Sequence, residues 1–136
     1  MTTTQQIKHL YWRAGFGLSP EEWKFAKTAN LNDALERLFK PNQIHGLEIP
    51  QVAAVNKQMT REERQEVRRL ERESLNKQTS RWISRMASPR ENILLERMSL
   101  FWHGHFACVS KRPRLATQQL NTIRQYALSD FRQLLL

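Results

Sequence analysis

Residues 88–106 read SPRENILLERMSLFWHGHF, and the fold has to be built around this stretch. It starts with Ser88-Pro89-Arg90-Glu91, a capping box whose hydroxyl, first-turn proline and acid are typical of a helix N-terminus. The residues that follow show no strand-like alternation, so they predict a helix that opens at Pro89. Residues 101–106 close the stretch and hold two of the four histidines of the chain.

A regular helix through this stretch turns by about 100° per residue, which assigns its side chains to two faces. With Leu94 at the centre, the predicted buried face consists of Leu94, Met98, Phe101 and His105, flanked by Trp102. The opposite, polar face consists of Asn92, Glu96, Ser99 and His103. The two histidines therefore diverge by about 160° on an unbroken helix.

Helix start signals recur along the rest of the chain, while strand signals are nearly absent. The first predicted helices cover residues 5–13, a segment from Pro20, and a segment capped by Asn30 or Asn32 that ends at Pro41. The capping box at Thr60 opens a long helix that runs to about Ala87. The last predicted helices are a segment from Pro113 and residues 131–136. The helix after Thr60 has no single apolar stripe, which predicts either a break near Ser74 or a first half that projects into solvent. The sequence therefore predicts an all-α fold, an irregular multi-helix array.

The chain has 136 residues, the length of one domain. Residues 42–56 contain Gly46 and Pro50 and predict a loop. The final Leu134-Leu135-Leu136 would leave an uncovered apolar patch. We therefore expect residues 1–136 to form a single incomplete helical domain, the N-terminal part of a longer protein, whose C-terminal part packs on residues 115–136. The tryptophans expected in the core are Trp12, Trp23, Trp82 and Trp102.

The composition narrows the class of protein. The net charge of +9, from 22 basic and 13 acidic residues, favours an acidic partner such as nucleic acid. Residues 61–72 mix both signs, however, which is more typical of a solvated helix face. A single cysteine, Cys108, excludes an internal disulfide. No apolar run is long enough for a membrane helix, and no secretory signal is visible, so the default location is cytoplasmic.

The histidines His103 and His105 are the candidate catalytic or metal-binding residues, because imidazole transfers protons and binds metals near neutral pH. They converge on one divalent metal only if the backbone turns extended at Gly104, with Glu96 as a supporting partner behind His103. The alternative is structural: His105 is then a core residue, and His103 is a surface residue that stacks on Trp102.

Several segments together resemble one known family. His9-Leu10-Tyr11-Trp12-Arg13-Ala14-Gly15-Phe16-Gly17 resembles the opening of the bacterial family known as domain of unknown function 1800, DUF1800. The run from Leu95 to Phe106 resembles its central signature, in which asparagine commonly stands where this chain has Gly104. The stretches 121–128 and 131–136 resemble the segment that follows.

This resemblance implies a mainly helical protein several times longer than the chain, with paired acids on a later helix that would complete any site at His103 and His105. It also implies export in many members, and it supplies no reaction. Three hypotheses stay open: a metal-dependent or acid–base enzyme centred on the two histidines, a structural or interaction module with packing histidines, and nucleic-acid binding through the basic helix after Thr60.

Overall fold

The computed structural model describes residues 2–40, 44–53, 55–88, 92–106 and 110–135. Within them the chain forms seven α-helices and no strand, which confirms the predicted all-α array. In chain order the helices are α1 (Thr3–Ala14), α2 (Pro20–Thr28), α3 (Leu31–Phe39), α4 (Arg61–Met86), α5 (Ile93–His105), α6 (Pro113–Tyr126) and α7 (Phe131–Leu135). The predicted helix end at Pro41, together with Cys108 and Leu136, lies outside the described residues.

Reciprocal side-chain caps start the first four helices. In each, the capping side chain accepts a hydrogen bond from the backbone N–H three residues on, and that residue's side chain accepts one from the N–H of the capping residue. The pairs are Thr2 with Gln5, Ser19 with Glu22, Asn30 with Asp33, and Thr60 with Glu63. The predicted starts at Ser19 and Thr60 are confirmed, and Asn30 rather than Asn32 caps α3.

The predicted start of α5 at Pro89 is wrong. The helix begins at Ile93, and Asn92 is its N-cap with an extended backbone at φ −76° and ψ 102°. The Asn92 side chain accepts a hydrogen bond from the N–H of Leu95 at 3.0 Å, so Asn92 caps this helix in place of the predicted Ser88. Residues 89–91 of the predicted capping box lie outside the described residues.

Helix α4 is continuous from Arg61 to Met86, so the predicted break near Ser74 does not occur. Its first half is largely in solvent, because Val67 is the sole buried residue that the structure describes between Arg61 and Arg72. The described residues from 44 to 60 form neither helix nor strand.

The first core joins α1, α2 and α3 to the start of α5. Its buried residues are Ile7, Tyr11, Ala26, Ala34, Leu38 and Ile93. Gly15 lets α5 approach closely, since a Cβ at this position would lie 2.6 Å from Ile93 Cδ1. Gly17 continues the turn at φ +105°, a left-handed conformation that glycine adopts readily.

The Tyr11 hydroxyl is buried in this first core and has no hydrogen-bond partner among the described residues. Burial raises the pKa of Tyr11, and the charge of Arg37 opposes that rise in part. A buried hydroxyl without a partner costs folding free energy, so this position is a weak point of the core.

The second core is smaller and consists of Leu47, Trp82 and Leu120, with Met86 packed against it. Helix α5 links the two cores, because it packs on α1, α3, α4 and α6. The prediction that all four tryptophans are core residues is wrong for Trp12 and Trp23, which are 68% and 39% exposed. Both lie on the outer faces of short N-terminal helices whose inner faces are filled by smaller side chains. None of the described helices is long and apolar enough to cross a membrane.

Candidate functional site

Helix α5 buries the face that the sequence marks as polar. Leu95, Glu96 and Ser99 are buried, whereas Phe101 is 56% exposed and His105 is exposed as well. The predicted buried face is therefore wrong for Phe101 and His105, whereas Leu94 and Met98 are half-buried and Leu94 packs against the first core. Polar side chains can be buried when each finds a partner. The Ser99 hydroxyl donates to the Leu95 carbonyl at 2.7 Å, and Glu96 has stronger partners.

Glu96 and Arg124 form a fully buried ion pair between α5 and α6, with side chains 0% and 1% exposed. Arg124 Nη2 lies 2.5 Å from Glu96 Oε1, and Arg124 Nε lies 3.1 and 3.2 Å from the two carboxylate oxygens. The indole N–H of Trp82, on α4, donates to Glu96 Oε2 at 2.8 Å. Both oxygens of the carboxylate thus accept hydrogen bonds. Glu96 joins α5 to α4 through Trp82 and to α6 through Arg124.

The same arginine holds the loop before α4. Arg124 Nη1 donates to the His45 carbonyl at 2.7 Å. One turn earlier, the Asn121 amide bonds both backbone groups of Leu47: Leu47 N donates to Asn121 Oδ1 at 2.7 Å, and Asn121 Nδ2 donates to the Leu47 carbonyl at 2.8 Å. On the other side of the loop, Gln78 Nε2 donates to the Glu48 carbonyl at 3.0 Å. The loop is therefore fixed by side chains of α4 and α6.

His103 lies beside this cluster and is half-buried. Its ring meets the Trp82 ring edge-on, with centroids 5.3 Å apart and an interplanar angle of 63°. The predicted partner was Trp102, and that prediction is wrong because the face carrying His103 turns inward toward α4. In the part of the chain that the structure describes, His103 makes no hydrogen bond with Glu96. The two are connected through Trp82, which contacts both.

His105 belongs to a different surface. It is exposed and lies among aromatic rings, with centroids 6.2 Å from Phe101, 5.9 Å from Trp102 and 5.4 Å from Phe106. Gly104 lies inside α5, so the backbone does not turn extended there and the two histidines stay on different faces. Among the described residues, no group of three or more His, Cys, Asp or Glu side chains is placed to hold a metal ion.

The rings around Trp102 form a surface that we name the aromatic patch, defined by Phe101, Trp102, His105, Phe106 and Phe131. Trp102 is its centre, with ring centroids 4.9 Å from Phe101, 5.8 Å from Phe106 and 5.4 Å from Phe131. Its indole N–H donates to the Ala127 carbonyl at 3.2 Å, which fixes the ring against the end of α6. Phe101 and Phe131 remain 56% and 50% exposed.

The sequence singles out Glu96 as a supporting residue but not its partners Arg124 and Trp82, nor Asn121, which holds the loop before α4. A signal for Arg124 was present: it lies four residues after Leu120, at the edge of the apolar face that Ala116, Leu120 and Ile123 form on α6, where a charge must either point out or find a buried partner. Asn121 lies off that face, so its position carries no such signal. Nothing in the local spacing connects either residue to its partner.

Comparison with known proteins gives one result. A family model described as "Protein of unknown function (DUF1800)" matches residues 9–136. No curated protein and no solved structure was found to match the chain. The matched segment contains every residue of the ion pair, the loop that it holds and the aromatic patch. Because the match covers nearly the whole chain and agrees with the resemblance of residues 95–106 to the family's central signature, the chain belongs to the DUF1800 family.

Proposed function

We propose that this chain is an interaction module, a helical scaffold that presents the aromatic patch to another polypeptide segment. The observation that carries the proposal is the exposure of Phe101 and Phe131, which both pack on Trp102 and yet are 56% and 50% accessible. Exposed contiguous apolar surface of this kind marks interaction sites, and aromatic residues are enriched at the centres of interfaces.

The surroundings of the patch support the same function. Leu128, between α6 and α7, is 46% exposed, and Leu135 on α7 is 58% exposed. Phe106 also lines a shallow cleft with Ile123 and Leu135, which extends the apolar surface beyond the rings. We propose as occupant the C-terminal continuation expected from the family resemblance, packed on residues 115–136.

The ion pair supports a scaffold role for Glu96. A general base needs a carboxylate oxygen that is free to accept a proton, whereas both oxygens of Glu96 accept hydrogen bonds from Arg124 and Trp82. A buried pair of this kind orients the elements that it joins. Here it fixes α5 and α6, the two helices whose ends carry Trp102 and the Ala127 carbonyl that holds it.

The proposal is tested in the longer protein with the double variant Phe101→Ser/Phe131→Ser. We expect hydrogen exchange of α7 and of the segment that covers it to become faster in this variant. The matched control is Phe39→Ser, which removes a 68% exposed phenylalanine on α3, outside the patch, and is expected to leave that exchange unchanged.

Two results would overturn the proposal. One is equal exchange of α7 in the wild type and in the double variant. The other is a dimer of the 136-residue chain, seen by sedimentation, that the double variant dissociates; the occupant would then be a second copy.

A second candidate function is acid–base or metal chemistry at His103. The observation in its favour is that a half-buried imidazole contacts Trp82, which in turn is held by Glu96. The assignment of His103 and His105 as metal ligands stays a prediction. Its test is the zinc, manganese and iron content of the longer protein and of the His103→Ala/His105→Ala variant. A wild-type protein purified without stoichiometric metal would rule out the metal role.

A further inference from the structure

Four arginines line one side of the first half of α4: Arg61, Arg64, Arg68 and Arg72, named here the arginine stripe. Their spacings of three, four and four residues place them within an arc of about 80°. All four side chains are exposed, and together with Met59 and Gln65 they line one shallow groove. The stripe is about 16 Å long at the usual rise of an α-helix.

The mixed charges of α4 separate by face, which the sequence order conceals. Glu62, Glu66 and Glu73 lie on a different arc of the helix. Arg69, on that arc, donates to both Glu66 and Glu73, and the Glu63 carboxylate accepts the N–H of Thr60. The acids of the helix are therefore largely engaged away from the stripe. The half-buried Glu71 lies at the margin of the stripe, on its inner side.

The stripe has no acidic partner among the residues that the structure describes. In the described residues no carboxylate forms an ion pair with any of its four guanidinium groups. In the described part of the chain, the one side-chain hydrogen bond from the stripe goes from Arg64 Nη2 to the Lys57 carbonyl at 2.9 Å, which steadies that side chain and leaves its charge uncompensated. Four cations of one sign in a groove form a site for an anion of extended shape.

The chemistry of the stripe selects the kind of anion. Guanidinium groups bind phosphate oxygens through two parallel hydrogen bonds, which a lysine ammonium does not do. A helix that binds a membrane surface needs an apolar face beside its basic one. The stripe is flanked on its exposed side by the polar Gln65. Leu70, the exposed leucine in the first half of α4, lies on the far side of the helix.

We propose that the arginine stripe binds the phosphate backbone of a nucleic acid. This inference goes beyond the interaction module and uses a different surface, so each can fail without the other. Four phosphate contacts on duplex DNA give a slope of about −3.6 in the logarithm of affinity against the logarithm of salt concentration. Between 50 and 200 mM salt, affinity is then expected to fall by roughly 150-fold.

The test is fluorescence anisotropy of labelled oligonucleotides, one duplex and one single strand of equal length, with the 136-residue chain across this range of salt. The variant Arg68→Gln/Arg72→Gln removes two of the four contacts, so its affinity should fall by only about 12-fold over the same range. The matched control, Arg69→Gln/Lys77→Gln, removes the same charge from the same helix off the stripe and should keep the wild-type slope.

Several results would overturn the proposal: no binding to either oligonucleotide at 50 mM salt, equal loss of slope in the control, or binding confined to vesicles that contain anionic lipid. A second stripe variant, Arg61→Gln/Arg64→Gln, has to reproduce the slope of the first. Circular dichroism confirms that each variant keeps its helix content.

Discussion

Replacement of Arg124 with methionine tests the central claim that the buried ion pair joins α5 to α6. The variant removes every hydrogen bond that Glu96 receives from Arg124 and leaves its carboxylate fully buried, with the Trp82 N–H as its remaining partner. Breaking a buried pair from one side typically costs about 3 to 5 kcal/mol. The His45 carbonyl also loses a donor, but Arg85 donates to the same oxygen, so this adds little.

The double variant Glu96→Leu/Arg124→Met removes both charges. What remains is the indole N–H of Trp82 without an acceptor, at a cost of about 1 to 3 kcal/mol. Apolar replacement of a buried pair returns roughly 1 to 4 kcal/mol where the new side chains pack well. We therefore expect the double variant to be more stable than Arg124→Met alone and within about 2 kcal/mol of the wild type.

The assay is urea unfolding followed by circular dichroism, with tryptophan fluorescence as a second probe because Trp82 contacts the pair. If Arg124→Met does not fold, a folded double variant still supports the reasoning. The control is Arg69→Met, which removes an exposed pair and is expected to leave the urea midpoint unchanged. A loss below about 1 kcal/mol in Arg124→Met, or a double variant less stable than the single one, would refute the reasoning.

Three further predictions concern stability, each measured as the free energy of unfolding in urea. Gly15→Ala should lose about 1 to 3 kcal/mol because the new Cβ meets Ile93. Gly104→Ala, whose new Cβ meets nothing within 4 Å on a helix, should gain up to about 1 kcal/mol. A change of stability in the same direction in both variants would contradict one of these two expectations. Tyr11→Phe should gain about 1 kcal/mol by removing a buried hydroxyl without a partner, and a loss would reveal a partner for that hydroxyl. Because burial raises the pKa of Tyr11, the wild type should lose stability relative to this variant as the pH rises above about 10, where the unfolded tyrosine ionises first. Asn121→Ala should lose about 1 to 3 kcal/mol through its two bonds to Leu47, and an unchanged midpoint would show that the loop is held without them.

The helices were predictable because their start signals are local. Ser19, Thr60 and Pro113 each set a helix start through groups within three residues of it, and all three starts are confirmed. The start of α5 differs from the prediction because the sequence offers two capping residues four positions apart, Ser88 and Asn92, and the helix begins after Asn92. Whether a residue caps a helix depends on its backbone conformation, which is set by packing as well as by residue type.

The candidate site was only partly predictable, for a different reason. Apolar periodicity assigns Glu96 and Ser99 to solvent, since it counts residue types and not partners. The partner of Glu96 lies 28 positions away on another helix. With that pair buried, Phe101 and His105 face outward and His103 lies against Trp82. The assignment is thus reversed for Glu96 and Ser99, which are buried, and for Phe101 and His105, which are exposed.

The bonds from α6 to the loop before α4 also bear on the order in which the chain folds. They join positions 74 and 79 residues apart, Leu47 with Asn121 and His45 with Arg124. Closing such a long segment costs chain entropy before any stabilising contact forms. This cost is smaller for α1, α2 and α3, because they are neighbours along the chain. We therefore expect the N-terminal helices to assemble early and the loop before α4 to become fixed last.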